Sequence, residues 1–99
     1  MEITPQSVYA DAILTYGVRA QEDMLHEEVG ELLSALNKHA RGRIQREAVI
    51  TEIADVIIMC EQLATILGRD EVDKEIDFKL ERICKRYNEW KEKNGGNKG

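Results

Sequence analysis

The chain has 99 residues, 33% of them charged, with 14 basic and 19 acidic side chains and a formal net charge of −5. That length supports one domain with one modest core, and the acidic balance disfavours a nucleic-acid polymer as partner while leaving small phosphorylated ligands carried with a divalent cation open. No run approaches the roughly 20 apolar residues of a membrane span, and the opening MEITPQSVYA lacks the basic and apolar blocks of a signal peptide, so a cytoplasmic protein without a membrane partner is expected.

A single proline, at position 5, an abundance of Glu, Leu, Ala, Lys and Ile, and the absence of strand alternation predict an all-α fold, a bundle of four main helices in one domain over residues 1–93. Thr4 and Pro5 read as N-cap and first residue of a helix reaching about Tyr16, with Gly17 as a break. A second helix is predicted from Val18 to Ala40, with Leu25, Val29, Leu32, Leu33 and Leu36 on one stripe. RGRIQ supplies a turn, and the third helix runs from Arg46 to Leu67, where Gly68 ends it. Asp70 is the expected N-cap of a fourth helix, Glu71 to Lys93, which carries Val72, Ile76, Leu80, Ile83 and Tyr87 on one side. The remaining NGGNKG, residues 94–99, is expected to be a flexible tail.

The third helix has an unusual composition. Val49, Ile53, Val56, Cys60, Ala64 and Leu67 form one apolar stripe, while Ile50, Ile57, Ile58, Met59, Leu63 and Ile66 extend far around the circumference. A helix apolar over so much of its surface is central or sits at a subunit interface. Cys60 and Cys84 form no C-x-x-C and are expected as reduced thiols at apolar positions, without a chemical role.

Set into these helices are two acidic stretches, HEEVGE at residues 26–31 and EIAD at residues 52–55. If the second and third helices fold back about the RGR turn, residues at equal depth have position numbers with a constant sum. Glu28 then comes level with Asp55, and Glu31 with Glu52, while Glu27 is rotated outward. Either pair alone would suit a solvent-facing helix. Their matched depth and the apolar setting of the second pair favour a cluster, and four gathered carboxylates need protons, basic partners or a metal among them. Oxygen-only ligation suits Mg²⁺, Mn²⁺ or Ca²⁺.

In this order the motifs resemble the MazG-type all-α nucleoside triphosphate pyrophosphohydrolases, whose signature is E-E-x-x-E followed after a turn by E-x-x-D. Here these residues are Glu27, Glu28 and Glu31, then Glu52 and Asp55, and the resemblance runs from about Tyr16 to Arg86, including the TYGVRAQ lead-in and the ADVII continuation. It implies hydrolysis of an NTP or dNTP between the α- and β-phosphates, with Glu28, Glu31, Glu52 and Asp55 as Mg²⁺ ligands (Mn²⁺ as the alternative ion) and as the catalytic carboxylates. It also implies nucleotide-pool housecleaning and a dimer with a shared bundle, or a tetramer.

Family members often continue with N-x-K-x-x-R; here DFKLER keeps Lys79 and Arg82 but has Asp77 in place of Asn. Lys79 and Arg82 are therefore either substrate-binding cations or an ordinary charged helix face beside Asp77, Glu75 and Glu81. Gln21, two turns before Glu28, has the donor and acceptor for a base edge or else faces solvent. Tyr9 and Tyr16 are candidates for stacking or core, and Trp90 for an interface. A di-iron carboxylate bundle is a poor fit, since neither His26 nor His39 follows a glutamate by three. The serious rival to an enzyme is a non-catalytic helical module that binds nucleotide or metal.

Overall fold

The computed structural model describes residues 3–95. Among them are four α-helices and no strand: α1 (Pro5–Tyr16), α2 (Val18–Ala40), α3 (Arg46–Leu67) and α4 (Arg69–Asn94). None of these helices is long and apolar enough to cross a membrane. The helices divide into two units, α1 to α3 in the one that ends at Leu67 and α4 in the one that starts at Gly68.

Local chemistry sets the helix ends. Thr4 caps α1 by accepting the Ser7 N–H on its hydroxyl at 3.1 Å, while the Ser7 hydroxyl accepts the Thr4 N–H at 3.0 Å, and Pro5 takes the first turn, where its missing N–H costs nothing. Gly17, at φ +89°, leads straight into α2. The predicted RGR turn is a Schellman motif: Gly42 N–H donates to the His39 carbonyl at 2.9 Å and Arg43 N–H to the Lys38 carbonyl at 2.8 Å. Gly42 holds the left-handed position at φ +72°. One expected cap is displaced. The N-cap of α4 is Gly68, at φ +133°, and Asp70 lies inside the first turn, where with Glu71 it complements the helix dipole.

Helix α2 packs on α3 as an antiparallel hairpin, and α1, none of whose residues is buried, lies against both. The register is visible in one cleft at the turn end, where Glu31, Ala35 and Lys38 of α2 meet Glu52, Ala48 and Ile44 from the other side. Along α2 the buried or half-buried residues include Gln21, Leu25, Glu28, Leu32 and Ala35; along α3 they include Glu52, Asp55, Met59, Gln62 and Ile66. Both series alternate steps of three and four, the spacing that keeps a seam on one face of each helix.

This seam corrects the predicted α3 stripe. Val49 and Ala64 are buried and Val56 is half-buried, but Ile53, Cys60 and Leu67 are exposed, because the seam is occupied partly by polar residues that a search for apolar spacing passes over. On α2, Leu33 and Leu36 are exposed for the same reason. The two cysteines are free thiols, both exposed rather than sheltered. Nearly all of α4 is open to solvent, including Ile76, Leu80, Ile83, Tyr87 and Trp90. The expected tail lies outside the described residues except for Asn94, the last residue of α4, and Gly95, its C-cap.

Because the Schellman turn needs the left-handed backbone at Gly42 and a Cβ there would meet nothing within 4 Å, Gly42→Ala carries a purely conformational cost. Urea unfolding is expected to show a loss of about 1 kcal/mol, and a smaller loss for Gly42→Asn, which tolerates this conformation. Equal stability of Gly42→Ala and the parent would mean that another interaction sets the turn.

Candidate metal centre

The α2–α3 register brings the acidic stretches together. Glu28 and Glu31 stand one turn apart on α2, Glu52 faces them from α3, and one carboxylate oxygen from each of the three lies within 4.8 Å of the other two. Glu28 and Glu52 are half-buried and Glu31 is exposed at the mouth. Asp55, also half-buried, is one turn along α3 from Glu52 and acts on Glu28 through its charge, but it stands outside the tight trio. Glu27 is exposed and takes no part, as its rotation on α2 requires.

The electrostatics of the group follow from this geometry. Desolvation, a hydrogen bond shared with Glu31, and the charges of Glu31, Asp55 and Glu52 all hold the Glu28 carboxyl above its ordinary value of 4.5. Burial and like charge both disfavour the ionised form of a carboxyl group, and here they act on Glu28 in the same direction. Glu52 Oε1 is buried and has no hydrogen-bond partner. A buried, unpartnered carboxylate oxygen beside two more carboxyl groups is a donor set that fits a hard divalent cation.

Beside the acids is an open cleft of about 220 Å³, lined by Glu31, Glu52, Ser34 and Lys38 among others. Lys38 was not among the candidates. Its signal in the sequence is spacing, since it follows Glu31 by seven residues and so returns to the same face of α2. Lys79 and Arg82 stand three residues apart on α4, both exposed, and the Arg82 guanidinium lies 5.7 Å from the centre of the Phe78 ring.

Gln21 departs from its solvent-facing alternative. It is only 1% exposed, and its Oε1 has no hydrogen-bond partner. Gln62 on α3, 7% exposed, leaves its Oε1 unpartnered in the same way. Sequence reasoning missed Gln62, although it follows Asp55 by the same seven residues that separate Gln21 from Glu28.

Comparison with protein-family models, with curated proteins and with solved structures finds no match to this chain.

The raised pKa of Glu28 has a consequence for stability. Its folded-state carboxyl holds a proton more tightly than the unfolded chain does, so ionised Glu28 destabilises the metal-free fold. That penalty is absent below the ordinary value of 4.5, grows as pH rises through the raised pKa, and then stays constant. In EDTA, Glu28→Gln is therefore expected to melt above the parent at pH 7, with the gap closing toward pH 4.5. A gap independent of pH would show that Glu28 does not titrate against its neighbours.

Proposed function

We propose that this chain is a Mg²⁺-dependent nucleoside triphosphate pyrophosphohydrolase of the MazG type. It converts an NTP or dNTP to the nucleoside monophosphate and pyrophosphate. The observation that carries the reading is the trio of Glu28, Glu31 and Glu52, contributed by two helices, with its buried and unpartnered Glu52 oxygen. The E-E-x-x-E and E-x-x-D order of the motifs supports it.

In this reading Glu28, Glu31, Glu52 and Asp55 hold the ion. Bound there, Mg²⁺ or Mn²⁺ neutralises triphosphate oxygens and acidifies water. A carboxylate oxygen not engaged in holding the ion orients the attacking water and accepts its proton as the α–β anhydride bond breaks and pyrophosphate leaves. Lys38 at the cleft supplies positive charge for the phosphate oxygens, and the resemblance assigns Lys79 and Arg82 of α4 to substrate binding. Gln21 contacts the base. The proposed setting is the cytoplasm, and the proposed role is clearing aberrant nucleotides.

The reading includes a homodimer or homotetramer. Along α4 the exposed Ile76, Leu80, Ile83, Tyr87 and Trp90 repeat at steps of four and three, the spacing of a helix–helix seam. Helix α3 adds exposed Ile50, Ile57 and Ile58. Single apolar residues on a surface are ordinary, but rows of them on two helices suit a second copy of the chain. Asp77 favours one other reading, a module that keeps the acids without turnover, because it adds an anion where the resemblance has Asn.

Two experiments test these proposals. Incubation with NTPs and dNTPs and Mg²⁺ is expected to release pyrophosphate with no early inorganic phosphate, and Glu52→Gln is expected to abolish release and reduce the rise in melting temperature on adding Mg²⁺. Early inorganic phosphate would refute α–β cleavage, while a Mg²⁺ shift without turnover would favour the module. Sedimentation at micromolar concentration is expected to give at least twice the chain mass of 11.3 kDa, and Ile57→Glu to lower both mass and activity. A fully active monomer would refute the shared assembly.

A further inference from the structure

Two polar levels cross the α2–α3 seam. One is the carboxylate level; the other is formed by Gln21 and Gln62, each seven residues from an acid of the first, Glu28 on α2 and Asp55 on α3. Seven residues span about 10.5 Å along a helix and return almost to the same face. Between the levels the seam is apolar, with half-buried Leu25 and buried Met59.

The glutamines are the two buried polar residues of the core, at 1% and 7% exposure among the described residues, and the Oε1 of each is without a partner. A buried amide oxygen without a hydrogen bond costs on the order of 1–3 kcal/mol. Two such costs, where the buried apolar residues among the described ones are Ala35, Val49, Met59 and Ala64, call for a reason.

We infer that Gln21 and Gln62 form a paired reader for the base of a nucleotide whose phosphates lie at the carboxylate level, so that Gln62, with Gln21, sets which base is taken. The inference rests on the proposed nucleotide substrate. A primary amide presents an N–H donor beside a C=O acceptor, and its complement is a planar edge carrying an acceptor beside a donor. Every nucleobase offers such an edge on an otherwise apolar ring, which suits the Leu25–Met59 layer. Two amides at one depth read two positions of that edge. A site built around buried hydrogen-bonding groups rejects an analogue that leaves them unpaired far more strongly than an apolar pocket does.

The test reads the side-chain NH₂ signals of the ¹⁵N-labelled protein in EDTA during titration with AMP, GMP, CMP, UMP and dTMP. It needs neither metal nor turnover. Gln6 and Gln45, both exposed, are internal controls, and Gln→Leu variants assign the signals. At least one mononucleotide is expected to move the Gln21 and Gln62 signals together and spare the controls. Gln62→Leu is expected to weaken that nucleotide about tenfold, narrow the differences among the five, and raise the melting temperature by removing an unpaired buried amide. Glutamine signals that no mononucleotide moves, the result of a structural role or a buried water, would overturn the inference. So would unchanged selectivity in Gln62→Leu. Pyrophosphate release with unmoved glutamines would refute the reader alone, and moved glutamines without release would refute the hydrolase alone.

Discussion

The register of the α2–α3 hairpin is the constraint on which the rest depends. It is fixed at one end by a backbone turn, Gly42 in the left-handed region with the Gly42 and Arg43 amides returned to α2 carbonyls. From that point each residue of α2 faces a determined residue of α3. Glu31 therefore meets Glu52, and the level of Glu28 and Asp55 follows one turn farther from the loop. A slip of one residue would rotate every seam side chain by about 100° and scatter the acids.

The register also explains a poor core. Seam positions that would ordinarily carry Leu or Ile hold Gln21, Glu28, Glu52, Asp55 and Gln62 instead. Buried polar groups without partners and like charges in a half-dry seam both oppose folding. The chain answers with local devices, the reciprocal Thr4–Ser7 cap and the Schellman turn. Such a distribution, stable at the helix ends and costly at the seam, is typical where a site rather than a core is being built. The exposed rows on α3 and α4 are apolar surface left over for a further stabilising contact, which the proposed assembly would use.

Helix placement was legible in the sequence because its determinants are local. Thr4–Pro5, Gly17, the RGR turn and Gly68 bound the helices where backbone sterics and caps demand, and even the displaced cap, Gly68 for Asp70, is an error of two residues at one end. The level pairing of the acids was legible too, since a helical period and a turn suffice to compute it. Less legible was which face of each helix is the inside. Apolar spacing pointed to Ile53, Cys60 and Leu67, yet all three are exposed.

What the sequence determined by itself, then, is the all-helical class, the position of the turn and the depth of each carboxylate, because these depend on interactions spanning a few residues. Only the tertiary structure decided which side chains are dry. Burial is a property of what packs against a surface, and no local spacing distinguishes Gln21, nearly inaccessible, from Gln45, exposed. The same holds within the acid group, where packing, and not the motif, made Glu28 and Glu52 half-buried, left Glu31 open, set Asp55 outside the trio and deprived one Glu52 oxygen of a partner.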